Sequence, residues 1–317
     1  MAYNNYMDRD NDVGALIPDE VEREIFKAVP ETSFVMRMAR RLRDMSTHEK
    51  DLRVVDGLAQ AYFAGATTAA SGDKARLQTS EISFDKKTIK AAKLGVIIPI
   101  PEDVLDDQDY DMWGEVKPQV IEALGAAFDK AVLYGTDAPN DWPTNLVAGA
   151  TAAGNTVSLA ACTDLYDAVL SEDGVISKIE ACGYMVNGHI AYMGMRSRMR
   201  GARDSNGHPL FNSEPNSATR YTFDGEPVWF PKNGSINPAT SLDVTGDWSQ
   251  LVYSMRKGVT FKMLDQAPIY DNSGVLQFNL AQDDMVALKV TMRLGWELPT
   301  PPNRLDATPY PFGVLTA

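Results

Sequence analysis

Cysteine and histidine are scarce: the 317 residues include two cysteines, Cys162 and Cys182, and three histidines, His48, His189 and His208. Two thiols exclude a disulfide framework. Neither lies in a CxxC pair or near a histidine, so each reads as a small residue packed in or beside a core. The histidines share no metal-ligand spacing and give a first-row metal nothing to build on. No apolar run approaches the ~18 residues of a membrane-spanning helix. The opening MAYNNYMDRDNDVG lacks the basic and apolar regions of a secretory signal, which makes the cytoplasm the expected compartment. Positive charge is short as well, with 30 Lys and Arg against 43 Asp and Glu, a net charge of −13. A protein that grips nucleic acid tightly is normally basic over its surface, so tight binding is not expected. The dense exception is RMARRLR, with Arg37, Arg40, Arg41 and Arg43 inside seven residues. It reads as a solvated helix face or as a local contact with nucleic acid or an acidic neighbour.

Local catalytic signatures are missing too. There is no Walker-type phosphate loop, GxGxxG, HExxH or GxSxG. Asp106–Asp107 and Asp283–Asp284 are adjacent in sequence, which turns their side chains apart on a strand or a helix, so neither pair makes an acid/base dyad. The stretch DDQDYD lacks the sixth-position glycine of an EF-hand loop. These absences favour a non-enzymatic protein with no cofactor. A site assembled from distant segments is the alternative from another class.

Several elements can be read along the chain. Residues 1–17 are polar and Asn/Asp-rich. Pro18 opens a helix with Asp19, Glu20 and Glu22 in its first turn, closed by Pro30. A second amphipathic helical stretch is expected from Phe34 to Leu42. Residues 58–93 are mostly small or polar, with a turn signal at Ser71–Asp73, and read as a two-stranded ribbon of arms about 50 Å long. Its faces alternate poorly, so it has no hydrophobic side to bury in its own domain and calls for a neighbour. Leu94–Pro101 reads as a short buried strand, and 102–111 as an acidic turn. The clearest helix runs from Met112 to Tyr134, its regular part expected to start close to Pro118 and its end marked by Gly135 as C′ residue. Residues 138–160 mark a boundary. Beyond them, helices are expected from Asp164 and over Ile190–Arg200, and hairpin pieces over 219–232. A further helix is expected over Asp247–Lys257, with Asp247 as N-cap and Gln250 completing a capping box. Val286–Leu298 alternates with period two and predicts a strand with one buried and one polar face. The tail after it is extended by its prolines.

The order of these parts resembles the major capsid proteins of tailed bacteriophages with the Hong Kong 97-type fold. The resemblance rests on GALIP at Gly14–Pro18, VIIPIPEDVLDD at Val96–Asp107 and AFDKAVLYGT at Ala127–Thr136. It also rests on YMVNGHIAYMGMRSRMRGARDSNGHPLF at Tyr184–Phe211, GDWSQLVYSMRKGVTF, and NLAQDDMVALKVTMRLGWELPTP. Each motif is loose alone; their order and spacing over residues 14–300 carry the similarity.

The resemblance implies an α+β fold in named parts: an N-terminal arm at 1–45, an extended loop at 46–93, a peripheral domain of 94–145 plus 271–302 with a spine helix and return strand, and an axial domain of 146–270 plus 303–317. It implies a self-assembling head protein that forms pentamers and hexamers of an icosahedral shell around double-stranded DNA, located in the virion and assembled in the host cytoplasm. Partners would be further copies, packaged DNA through weak non-specific contacts, a separate scaffolding protein, a portal and a decoration protein, with no membrane. The separate scaffold is expected because the arm motif begins near the initial Met. Candidates for contact between subunits are Phe34, Arg40, Arg41, Lys74, Arg76, Lys86 and Lys87; Arg37, Arg40, Arg41 and Arg43 are candidates for a basic patch on the interior. Some relatives crosslink a loop lysine to an asparagine of a neighbour; Lys74, Lys86, Lys87 and Asn303 do not match that triad by position. An encapsulin-like compartment and a tail- or portal-associated protein are further alternatives.

Overall fold

The computed structural model describes residues 33–61, 79–102, 112–203, 208, 221–271 and 273–317, and within 112–134 the side chains from 118 onward. The expected helix at 18–30, the turn at Ser71–Asp73, the acidic stretch 103–111 and most of the loop after Gly201 lie outside these residues.

The described chain begins with a short helix, α1 (Phe34–Met38), and a two-residue strand, β1 (Arg40–Arg41). The helix expected to reach Leu42 therefore stops early. Ala39 is extended, and β1 runs parallel to a later strand, where its backbone gains ladder hydrogen bonds. Next come β2 (Glu49–Val55) and β3 (Phe84–Lys90), then β4 (Ala92–Pro101) and the long helix α2 (Met112–Tyr134). Pro118 sits inside α2, not at its start. Gly135 closes the helix at φ 73°, a conformation open to glycine at little cost.

The middle of the chain forms α3 (Leu146–Ala152), β5 (Thr156–Ser158), α4 (Leu165–Leu170), α5 (Val175–Ala181), β6 (Gly188–Ala191) and α6 (Met195–Gly201). The helix expected over Ile190–Arg200 is thus a strand followed by a shorter helix. All four β6 residues are buried, so they show no alternation in sequence. Strands β7 (Thr222–Phe223) and β8 (Glu226–Trp229) form a hairpin around Asp224 and Gly225, both at positive φ, as a two-residue hairpin turn requires.

The last third is β-rich: β9 (Asp243–Gly246), β10 (Val252–Leu264), β11 (Pro268–Tyr270), β12 (Leu276–Asn279), β13 (Met285–Glu297) and β14 (Phe312–Thr316). The helix expected over Asp247–Lys257 is instead a turn that leads into β10. The Asp247 carboxylate does accept from the Ser249 N–H and the Gln250 side chain. That capping chemistry serves a turn here, because Val252–Met255 is buried on both faces and pairs with β13.

Two sheets organise the molecule. One has the order β1-β10-β13-β4, and the other β5-β14-β9-β6-β8-β7. Strand β10, although it falls within 146–270, is hydrogen-bonded to β13 and not to the second sheet. Helix α2 lies on the first sheet through Val120, Ile121, Leu124, Phe128 and Val132, against Leu288, Val290, Met292 and Leu294 of β13; the same core takes in Val244, Phe312 and Val314 of the second sheet. The opposite face of the second sheet is covered by α4, α5 and α6, which bury Leu165, Ile176, Ile179 and Met195 against Leu315 and Phe223. Strand β13 departs from the expectation of one polar face. Ala287 and Gly295 on that face are buried as well, the latter beneath the Lys90 backbone.

Candidate functional site

Among the described residues, the ribbon has little support from the rest of the chain beyond its base. Strands β2 and β3 pair antiparallel from Glu49↔Lys90 to Val55↔Phe84, in a sheet of these two strands alone. Pairing thus starts before residue 58, earlier than expected. Past the strands the two arms stay joined by the Asp56 and Gly57 N–H groups, which donate to the Ser83 carbonyl. At this level Phe84 is 70% exposed and Ile82 51% exposed. An isolated two-stranded ribbon is marginal in water, and large exposed apolar groups on it need cover.

The base of the ribbon is fixed firmly. The Lys90 carbonyl, at the end of β3, accepts from the Trp142 indole at 3.1 Å and passes directly over Gly295. Trp142 meets Phe128 of α2 edge-on at 6.1 Å and Trp296 of β13 at 6.4 Å. Ile89 is fully buried with Met45, Ala91 and Val252. From the tail, Arg304 donates to the Ala59 carbonyl at 2.7 Å.

A second junction ties the segment before α1 to the long helix. Asp129 is completely buried on α2. Its carboxylate accepts from Ser33 Oγ at 2.6 Å, the Phe34 N–H at 3.1 Å, the Val35 N–H at 3.2 Å and Asn233 Nδ2 at 3.3 Å. Ser33 Oγ in turn accepts from the Met36 N–H as N-cap of α1. Burial pushes the Asp129 pKa up to about 6, against the pull of these donors.

The expected contact residues fall in different surroundings. Lys74 and Arg76 lie outside the described residues. Lys86 is exposed on the ribbon and pairs with Asp51 at 2.9 Å; that pairing, with the Thr88 hydroxyl, holds the Asp51 carboxyl below its ordinary range. Lys87 lies near Glu297 on β13, whose pKa is raised by burial against the pull of the Leu298 N–H and of Lys87. Phe34 is half-buried and packs on the main core. The four arginines have different surroundings. Arg37 stacks over Trp229 at 4.1 Å, Arg40 and Arg41 sit on β1, Arg41 pairs with Asp44 at 2.9 Å, and the exposed Arg43 offers its carbonyl to Ser254. Asn303 donates its amide to the Cys182 carbonyl at 2.6 Å.

Sequence reading misses Asp129 and the buried set of His189, Asp243 and Thr245. One signal is available for the first: Asp129 follows Phe128 and stands four residues from Gly125 and from Leu133, inside the buried stripe of α2. His189 Nδ1 lies 3.0 Å from Asp243 Oδ2, and the Thr245 hydroxyl bonds the same ring nitrogen, all closed off beneath Phe223. A cleft of about 720 Å³ opens between the end of α2 and the 234–240 loop; its ionisable lining groups are Lys130 and Tyr134. Among the described residues no cluster of His, Cys, Asp and Glu could hold a metal, and no helix is long and apolar enough to cross a membrane.

A sequence profile described as the phage capsid family matches residues 13–301. The major capsid protein of Staphylococcus phage 80alpha is 26% identical over 303 residues, 92% of this chain and 84% of that protein. The probable major capsid protein gp17 of Mycobacterium phage D29 is 25% identical, over 87% of this chain and 84% of that protein. Among solved structures, one from Mycobacterium phage Cain has a TM-score of 0.76 at 29% identity and covers 90% of each chain. The capsid of a native GTA particle shares the fold, with a TM-score of 0.64 at 16% identity, over 90% of this chain and 91% of that one.

Proposed function

This chain belongs to the phage capsid family, and from that premise we propose that it is a major capsid protein that assembles with further copies of itself into the closed shell of a virion. The observation that carries this reading is the ribbon: two paired strands held at the base, with Phe84 and Ile82 left exposed among the described residues. A surface of this kind gains its order from a neighbour.

The fold is of the Hong Kong 97 type in this proposal, with the arm at 1–45, the extended loop at 46–93 and the peripheral and axial domains divided near 145, 270 and 302. The pairing of β10 with β13 supports counting residues 252–264 with the peripheral part. Hexamers and pentamers built from one chain need adaptable joints, and the ribbon and the arm supply them. Packaged double-stranded DNA meets a subunit of net charge −13 through weak contacts, which suits a genome that must leave. Scaffold, portal and decoration proteins are proposed as separate chains. The role is structural, not enzymatic: the 720 Å³ cleft brings only a lysine and a tyrosine as ionisable groups. Assembly takes place in the host cytoplasm.

Electron microscopy of the expressed chain, alone and with its neighbouring genes, tests the reading. Large shells are expected. Small uniform shells would indicate a cargo compartment, and particles of subunit size under every condition would overturn the proposal.

A further inference from the structure

Basic side chains from four separate segments meet at the base of the ribbon. Lys93 of β4, Arg293 of β13 and Lys257 of β10 stand directly opposite one another across three strands. Like charges in such positions repel and weaken a sheet. Beside this row lies a recess of about 340 Å³, lined by His48, Lys90, Lys93, Arg256 and Arg293. The register of β10 shifts between Met255 and Lys257, and Arg256 thus lines the same recess as Arg293. Asp141 is the one carboxylate in the lining; it is largely exposed and pairs with Lys90 at a long 3.6 Å. Glu49, opposite Lys90 in the ribbon, does not line it. No ion pair or side-chain hydrogen bond among the described residues engages Lys93, Lys257, Arg256 or Arg293. Four permanent cations against one carboxylate leave the recess an excess of three positive charges, in a chain of net charge −13.

We propose that this recess is a binding site for a small oligophosphate anion, of the class of inorganic tripolyphosphate or a nucleoside triphosphate. The site lies within one subunit, so the proposal goes beyond the shell-subunit reading and does not rest on it. Two guanidinium forks match phosphate oxygens in pairs, and two ammonium groups add point charges. A monovalent anion leaves most of the excess charge in place, whereas an oligophosphate carries enough charge to cancel it. The volume falls within the range of small-molecule sites, about 300–1,000 Å³. Duplex DNA fits less well. Fields between exposed charges fade over about 8 Å at physiological salt, so an anion seated in the recess feels mainly its lining. A duplex extends past the recess over a subunit whose remaining charge repels it. The bound anion joins the Lys90–Lys93 link between β3 and β4 to Arg256 and Arg293, and so ties the ribbon base to the sheet.

Calorimetric titration of the free full-length subunit with tripolyphosphate, and separately with adenosine triphosphate, at fixed ionic strength tests the site. One anion per chain is expected, with a melting temperature that rises as the anion is added. Arg256→Gln with Arg293→Gln should weaken binding about a hundredfold. It also relieves repulsion across the sheet, so the melting temperature without anion should not fall. Asp141→Asn removes the competing carboxylate and should tighten binding about two- to fivefold. That second variant keeps every cation, so it decides the matter by itself if the double variant fails to fold. Equal affinity for the two anions means that phosphate alone is read; tighter binding of adenosine triphosphate means that the nucleoside is read too, and both results support the site. No saturable binding, binding unchanged in the double variant, or Asp141→Asn that binds no tighter overturns the proposal. So does a short DNA duplex that binds more tightly than tripolyphosphate and is lost in the double variant, because the face is then a nucleic-acid contact.

Discussion

Ser33 Oγ donates to Asp129 Oδ1 at 2.6 Å across 96 positions of sequence, and so fastens the start of the described chain to the C-terminal third of the long helix. The same carboxylate accepts two backbone N–H groups of α1 and the Asn233 amide. Asp129→Ala leaves these donors buried without an acceptor, and the expected loss is about 3 kcal/mol, at the upper end for an orphaned buried group. Asp129→Asn keeps one acceptor oxygen and is expected to lose less. Chemical denaturation of the two variants beside the wild type checks the order.

The Asp129 pKa sets a pH dependence of definite sign. It is raised from 3.8 to about 6 in the folded chain, so the folded state holds the proton more tightly than the unfolded state. The contribution of this group to stability is therefore full below pH 3.8 and lost as pH rises through about 6. Its size is on the order of 3 kcal/mol. Subtracting the Asp129→Asn stability curve from the wild-type curve between pH 4 and 7 should leave a difference that falls with pH; a rising difference would reverse the assignment.

Gly295 is a packing requirement, not a turn. A Cβ there would stand 2.3 Å from the Lys90 carbonyl oxygen, which is backbone and cannot swing away. Gly295→Ala is expected to cost about 1–3 kcal/mol by overpacking and to loosen the ribbon base. Faster hydrogen exchange at β3 than at α2 would locate the damage.

Phe84 and Ile82 lie on the exposed surface of the ribbon, so replacing both with Ser should change subunit stability by no more than about 0.5 kcal/mol. Shell formation should drop sharply. Sedimentation of assembly mixtures against thermal melts of the free subunit measures both quantities.

Phe128 is almost completely buried between α2 and the first sheet, and Phe128→Ala should cost about 3–5 kcal/mol. Trp296 is as deeply buried, but its indole N–H has no hydrogen-bond partner among the described residues. Trp296→Phe removes that orphan and should cost clearly less, which a pair of melting curves would show.

The parts legible from sequence are those whose signal is long and local. Helix α2 shows three- and four-residue spacing over six turns, and the sequence of β13 alternates from Val286 onward. The start of β10 reads as a helix because Asp247 and Gln250 form the same local bonds in a turn as at a helix start; only pairing with β13 makes residues 252–264 a strand. Strand β6 escapes sequence reading because burial on both faces erases the alternation that marks a strand. The arginines at 37–43 look like one patch because they are close in sequence, but the change from α1 to β1 sends them to different partners.

The sequence alone determined the scarcity of cysteine, the net negative charge, the long helix, the return strand and the polar ribbon, all properties of composition or of nearest neighbours along the chain. Only the tertiary structure decided which groups from distant segments meet. Ser33 and Asp129 face each other because α1 docks on α2. Lys93, Lys257 and Arg293 form one charged row because β13 is hydrogen-bonded on both sides, to strands that lie some 160 residues apart. Cross-strand register is a property of the folded sheet, and no periodicity within a single strand encodes it.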